Sequence, residues 1–271
     1  MIINRTYRTW YQNYYYITDG ITNRSSGNSN SSSSSSSSSE EYSTSSSSSS
    51  SGWGAGTNNI LWYSAARNGD VSATGTITDY SASLNDGTLV ANAYMEGDGA
   101  NKGIVLDGTG DEVTVGSLDL SGSAITFSAW IYAVAWEGSS PFISHVSGIE
   151  DTGSAYIRFG DALLANNKLQ FVLNIGGEEK LDGVSTLNTD AWYHVAATYD
   201  GNEMIMYING NFENSRDDIS GNFSASGNFM VGDSFGSHGR EFHGILDEVM
   251  VWQRCLSSSE ISDLYNNGYA K

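Results

Sequence analysis

The sequence predicts an all-β fold: a two-sheet antiparallel sandwich with one short C-terminal helix. Three observations predict it. From Trp53 onward, β-branched and aromatic runs alternate with Gly, Asn, Asp and Ser turns at intervals of roughly 8–12 residues, the rhythm of a many-stranded sandwich. The run Trp192–Tyr199 (WYHVAATY) is broken by Asp200-Gly201-Asn202, and the chain then returns through 203–208 to Asn209-Gly210. That dipeptide tolerates positive φ at both positions, as a type I′ hairpin turn requires. Helix signals, finally, converge at one place only, just after Leu256.

The elements follow in order. Residues 60–63 open a strand, and 78–89 (TDYSASLNDGTL) carry a polar turn. Segments 103–115 (GIVLDGTGDEVTV) and 117–130 (SLDLSGSAITFSAW) supply further strands. Segment 245–252 is a strand apolar on both faces apart from Asp247 and Glu248, which strict alternation sends to opposite faces. The helix is marked by Ser257 as N-cap and Glu260 three residues later, a capping box. Leu256 and Ile261 occupy hydrophobic-staple positions, and Gly268 is the expected stop.

Composition divides the chain into three parts. Residues 53–271 form the globular head, a length ordinary for one large sandwich and enough to bury a core without disulfides. Cys255 is the one cysteine and is expected as a buried, inert thiol. Residues 25–52 are a serine linker: 25–51 hold twenty serines in twenty-seven residues. Such a tract has too little apolar surface to offset ordering entropy, and its ends should lie roughly 30 Å apart. Residues 1–24 hold five tyrosines and one tryptophan. They lack the apolar core of a signal peptide and are too short and polar to span a bilayer. A segment this small cannot bury its own aromatics, so we read it as an anchoring arm, with Tyr7, Trp10, Tyr14, Tyr15 and Tyr16 as the docking side chains.

Charge follows the same division. Residues 1–52 are neutral, and the whole net charge of −19 lies on the head, with nine basic against twenty-eight acidic side chains. A surface this negative repels nucleic-acid backbones and anionic membranes, which argues against nucleic-acid binding and membrane insertion. It suits hard cations with oxygen ligands.

Segments 78–89, 103–115, 117–130, 198–213 (TYDGNEMIMYINGNFE) and 242–265 (FHGILDEVMVWQRCLSSSEISDLY) together resemble, in order, a laminin-G-like jelly roll of the concanavalin A-like lectin and glucanase superfamily. The resemblance implies a jelly-roll sandwich that displays a binding surface. It also implies a calcium ion fastening the early loop to the last strand, with Asp79, Asn85, Asp86 and Asp247 as the matching ligands. The alternative for Asp247 is a carboxylate that accepts backbone N–H bonds. Where the family carries Ser-Gly, this chain has Ser81-Ala82, so the loop is expected to bend differently.

Lectin-like sites place an exposed aromatic against a sugar face, beside groups that hydrogen-bond its hydroxyls. The candidate loops are 136–141 (WEGSSP) and 233–243 (DSFGSHGREFH), with Trp136, Phe235, His238 and Arg240 as the candidate ligand-binding residues. The competing expectation for each is a lid on the core. His145 and His194 are expected to be packed, and His238 with His243 lacks a third metal ligand at suitable spacing. Glucanases share the superfamily, but the alternating acids of their catalytic strand are missing. Glu178–Asp182 reads as loop-like and misordered, and no nucleophile-elbow motif is present. The sequence therefore argues against an enzyme.

A short anchor, a low-complexity spacer and a terminal jelly roll resemble the architecture of bacteriophage fibre or head-decoration proteins. The expectation is a glycan-recognising accessory protein at a virion surface or extracellular assembly, made without a signal peptide. It would bind carbohydrate through its head and an assembly protein through residues 1–24, as a homo-oligomer or multicopy array. The alternative is a purely structural decoration module.

Overall fold

The computed structural model describes residues 59–99, 102–136, 143–151, 153–234 and 239–267. The arm, the serine linker and Gly268 lie outside the described residues, and with them the anchoring reading of Tyr7, Trp10, Tyr14, Tyr15 and Tyr16.

Sixteen strands and two helices are described, and the strands form two antiparallel sheets. The first sheet contains β1 (Asn59–Tyr63), β4 (Tyr94–Glu96), β5 (Gly103–Asp107), β7 (Ile125–Ala135), β12 (Trp192–Tyr199), β13 (Met204–Ile208), β14 (Asn211–Arg216) and β16 (His243–Trp252). Its order is β14-β13-β12-β7-β16-β5-β4, with β1 also paired to β16. The second sheet contains β2 (Thr76–Ile77), β3 (Gly87–Val90), β6 (Glu112–Asp119), β8 (Ser144–Asp151), β9 (Gly153–Phe159), β10 (Leu169–Asn174), β11 (Glu178–Asp182) and β15 (Ser226–Val231), in the order β11-β10-β9-β8-β15-β6-β3-β2. This is the expected sandwich.

Period-2 alternation builds the core between the sheets. Phe127, Ala129, Ile131 and Ala133 of β7 face Phe171 and Leu173 of β10, and all are fully or almost fully buried. Phe127 and Phe171 meet edge to face at 6.1 Å across the two layers. Asn209 (φ 51) and Gly210 (φ 73) both take positive φ, so the β13–β14 hairpin has the expected turn. β16 stays close to β7 through Gly244, where an added Cβ would strike the Tyr132 carbonyl.

The C-terminal helix α2 (Ser258–Asn267) carries the reciprocal capping box. Ser257 N–H donates to Glu260 Oε2 at 2.8 Å, and Glu260 N–H donates to Ser257 Oγ at 3.3 Å. Leu256 and Ile261 are buried together against Trp252. Three expectations need correction. A one-turn helix α1 (Ala65–Asn68) follows β1, too short to show a helical period. Segment Glu178–Asp182 is an edge strand, paired with β10 from Gln170 to Asn174, rather than a loop. Cys255 is half-buried rather than enclosed, and burial is the first cause that raises its thiol pKa. Among the described residues no helix is long and apolar enough to cross a membrane.

His145 and His194 are packed, as the sequence implied, at 0% and 1% exposure. Burial holds His194 down to about 4, and burial together with Arg158 and Arg240 holds His145 down to about 3. An unfolded chain would protonate both near pH 6.5, while the folded chain keeps them neutral. Stability is therefore complete above that pH and falls as pH drops towards 4, by roughly 1.4 kcal/mol per pH unit for each histidine. Melting temperature measured from pH 7 to 4.5 should decline, and His194→Gln should decline less steeply over the same range.

Candidate functional site

The outer face of the first sheet is divided into a covered half and an open half. Helix α2 covers one half: Tyr265 stacks on the Trp130 ring at 5.6 Å and leans on His194 at 6.2 Å. Leu256 and Ile261 complete the cover over Trp62, Tyr207, Met250 and Trp252. This apolar cluster outside the main core explains why the sheet carries aromatics on both faces.

Beyond Trp130 the face is less covered, and strand register lines up one row of side chains across five strands. Trp192 of β12 pairs with Tyr132 of β7, Tyr132 with Ile245 of β16, Ile245 with Val105 of β5, and Val105 with Tyr94 of β4. The neighbours of these residues along each strand (Tyr193, Ile131, Leu246, Ile104, Met95) pack on the core, so alternation turns the row outward. Ile245 is buried, Trp192, Tyr132 and Val105 are half-buried, and Tyr94 is 41% exposed. Trp192 and Tyr132 lie 5.6 Å apart, tilted by 53°.

Polar groups flank the row. Tyr132 Oη donates to Asp190 Oδ1 at 3.4 Å. His243 pairs with Asp107 across β16 and β5, and Asn92 Nδ2 donates to Asp107 Oδ2 at 2.7 Å. Buried Asp111 fixes this corner by accepting the backbone N–H of Asn92 at 3.0 Å and of Asp107 at 2.8 Å. At the β4 end the row opens into a shallow cleft of about 480 Å³, lined by Asp70, Ser72, Asn92, Tyr94 and Glu96 among others. Two turns wall it, and each holds a non-glycine residue at positive φ: Thr74 (φ 63) and Ala91 (φ 55). Positive φ is strained for β-branched threonine. The turn is held in place by the paired hydrogen bonds between Val71 and Met95, at 2.9 and 2.8 Å. Asp70 uses Oδ1 to accept the Gly97 N–H at 2.8 Å.

The residues expected to hold calcium are each hydrogen-bonded to protein groups. Asp79 Oδ1 accepts the N–H groups of Trp62 and Ser81, both at 2.8 Å. Its Oδ2 accepts the Ser81 hydroxyl at 2.6 Å and the Asn85 N–H at 2.7 Å. Asp86 Oδ1 accepts the Asp79 N–H at 2.9 Å, and Asn85 Nδ2 donates to the Ile60 carbonyl at 2.7 Å. Asp247 Oδ1 accepts the N–H groups of Ala65 and Glu248, at 2.9 and 2.8 Å. Four chain donors on Asp79 occupy the lone pairs that an ion would need, and Asp247 Oδ1 is taken by the Ala65 and Glu248 N–H groups. The arrangement does not fit a calcium site, and no cluster of three or more His, Cys, Asp or Glu suited to a metal occurs among the described residues. Asp247 matches the alternative reading, a carboxylate paired with backbone N–H.

Asp247 and Glu248 also depart from strict alternation. The β16–β7 register slips between Asp247 and Met250, and Glu248 sits at φ 48. This bulge turns both carboxylates to the end of β1 and the residues that follow it: Glu248 accepts Trp62 Nε1–H at 2.7 Å and the Ser64 hydroxyl at 2.6 Å. They do not point to opposite faces.

Of the expected sugar-site residues, Phe235 and His238 lie outside the described residues. Trp136 is half-buried, its ring 4.6 Å from Phe159 and 6.4 Å from Phe242, which is the lid geometry rather than an open platform. Arg240 pairs with Glu150, which also takes Arg158 at 3.2 Å. Sequence reasoning missed Tyr94, Tyr132 and Trp192, because the row they share exists only through strand order. The one local signal was an aromatic at an outward position within otherwise core-forming strands.

The chain belongs to the concanavalin A-like lectin/glucanases superfamily: the Laminin_G_3 family model matches residues 107–262, more than half of its length. No curated protein matches. Among solved structures, the fold is similar to domain 4 of AbnA, a GH43 extracellular arabinanase from Geobacillus stearothermophilus, in complex with arabinotriose. The identity is 19% and the TM-score 0.58, over 77% of this chain and 98% of that one. It is also similar to the binding domain of Paraclostridial Mosquitocidal Protein 1, at 17% identity and TM-score 0.57 over 78% of this chain and 52% of that one. A third is the botulinum neurotoxin serotype D ligand binding domain in complex with N-acetylneuraminic acid, at 14% identity and TM-score 0.56 over 78% and 51%. The chain thus spans about half the length of the latter two.

The Asp247 geometry yields a direct test. Asp247→Asn exchanges an acceptor oxygen or a charge for an amide in a buried hydrogen-bonded site, at a cost of about 2–4 kcal/mol. Melting temperature should fall by the same amount in calcium and in chelator, whereas a fall confined to calcium would identify a metal ligand.

Proposed function

We propose that this protein is a non-catalytic glycan-binding module, carried on a virion or another surface assembly by its amino-terminal arm. The observation that carries the reading is the outward row Trp192–Tyr132–Ile245–Val105–Tyr94, in which all but the buried Ile245 are partly accessible, bordered by hydrogen-bonding side chains and ending in a cleft. Rigid aromatic surface beside a few fixed polar groups is what a sugar offers complementarity to: apolar C–H faces rimmed by hydroxyls. Structures of similar fold in complex with arabinotriose and with N-acetylneuraminic acid support a carbohydrate ligand.

The non-catalytic part rests on the acidic residues. Asp247 and Glu248 are 1% and 4% exposed and held by chain donors, so neither is available as acid or nucleophile. In β11, Glu178 accepts the Tyr156 hydroxyl at 3.1 Å and Asp182 accepts Gln170 Nε2–H at 2.7 Å, which commits both to the sheet. Display on an assembly is supported by composition: an aromatic arm joined to the head by a serine tract. Several copies side by side would compensate for the weakness of one shallow sugar site. Calcium has no part in the reading.

Two measurements test it. The full chain on a glycan array should bind a defined sugar class with or without chelator, and a blank array from folded protein would overturn the glycan reading. Removal of residues 1–52 should leave sugar binding intact while abolishing incorporation into the assembly; retained incorporation would overturn the anchoring role.

A further inference from the structure

The five strands that carry the row are neighbours in the sheet, and neighbouring strands lie about 4.8 Å apart, so Trp192 and Tyr94 stand roughly 19 Å from one another. That length exceeds a single sugar ring and suits several in succession. The row also runs across the strands, and its polar partners sit along it at intervals: Asp190 near Trp192 and Tyr132, His243 and Asp107 at the centre, and Asn92, Asp70 and Glu96 around Tyr94. Four of these are carboxylates and none is lysine or arginine. Lys102, at the head of β5, is already engaged in an interaction of its own. The head as a whole carries the net charge of −19. A sulfated, uronic or sialylated chain laid on this surface would meet like charge at both ends, which opposes binding and slows encounter. Carboxylates are in contrast good acceptors for neutral hydroxyls, and charge-assisted hydrogen bonds are the stronger kind.

Resting on the glycan-binding reading, we infer that the ligand is an uncharged, extended saccharide chain that lies across the strands from Trp192 to Tyr94, with one end in the cleft beside Tyr94. The cleft supplies the terminal contact. Among the described residues Asp70 accepts the Gly97 N–H through Oδ1, so Oδ2 can take a sugar hydroxyl, and the Tyr94 ring gives the last stacking surface. Longer oligosaccharides should therefore bind more tightly than monosaccharides until the row is filled.

The test uses the full chain with two panels measured by affinity electrophoresis and calorimetry. One panel holds neutral polysaccharides (arabinan, galactan, mannan, β-glucan) and their oligomers; the other holds pectate, heparin and sialyllactose. The inference expects binding within the neutral panel, affinity that rises with oligomer length, and little change with added salt. Tyr94→Ala and Trp192→Ala should each weaken binding by about tenfold or more, and Trp192→Phe by less. Leu163→Ala, at a fully exposed position in the β9–β10 loop, should leave binding unchanged. Thermal melts of each variant separate lost binding from lost folding, and Tyr94→Ala on the edge strand serves if Trp192→Ala does not fold. Binding confined to the anionic panel, with the Tyr94 and Trp192 variants unaffected, would overturn the inference and leave glycan binding standing. If those variants instead disturb self-association or incorporation while sugar affinity holds, the row is a protein contact and the inference fails. No binding to either panel by folded protein would overturn the glycan reading itself.

Discussion

The bulge at Asp247 and Glu248 is the constraint on which the rest of the first sheet depends. β16 runs the length of the sheet and pairs with β7 along one edge. Along its other edge it pairs with β5 from His243 to Leu246 and with β1 from Val249 to Trp252. Two strands cannot share one edge unless the chain between them is turned aside, and the extra residue at 247–248 opens the space. The carboxylates of that step then bind what turns aside: the Ala65 N–H, the Ser64 hydroxyl and the Trp62 indole. A bulge adds twist and re-aims side chains. Here it seats two buried charges on donors, which is the condition for keeping a charge out of water at tolerable cost. The positive φ of Glu248 is the strain accepted for it.

The position of the bulge also decides which surface is covered. From the bulge onward β16 faces Trp62 and the helix α2, so Trp252, Met250 and Trp130 are sealed beneath Ile261, Leu256 and Tyr265. Before the bulge, β5 and the three-residue β4 replace β1, and no helix follows them. The same strand therefore presents a buried apolar cluster at one end and an open aromatic row at the other. β4 is short, and it is flanked on its outer side by the Val71–Met95 bridge, which protects an edge that could otherwise recruit another strand. The cleft is the space left between that bridge and the exposed Tyr94 ring.

Features set by neighbours in sequence were legible, and those set by strand order were not. Asn209-Gly210 and the Ser257–Glu260 box each act within four residues, so their chemistry alone defines them. Tyr94, Val105, Tyr132, Trp192 and Ile245 are scattered over some 150 positions and meet only through the order β12-β7-β16-β5-β4. The misreading of Glu178–Asp182 has a physical cause as well: an edge strand is blunted with charge, which erases the apolar alternation that would announce it. Asp247 and Glu248 defeated a period-2 argument because a bulge adds one residue to one strand only. Trp136 illustrates the limit of residue type as evidence, since the same ring serves as platform or lid, and Phe159 and Phe242 decide which.

The loop around Asp79 shows how one buried carboxylate can organise a turn through hydrogen bonds. A cation in such a loop would draw carboxylates and carbonyls inward and bind the start of the domain to its last strand. In this chain Asp79 does comparable work with hydrogen bonds, gathering the N–H groups of Trp62, Ser81 and Asn85 and the Ser81 hydroxyl around one buried side chain. Each of those is a charge-assisted bond in a site shielded from water, roughly twice the strength of a neutral one. Because Trp62 belongs to β1, and β1 pairs with β16, these hydrogen bonds connect the loop to the last strand. The acidic charge left over is displayed on the surface, where it repels anions and offers acceptors to neutral hydroxyls.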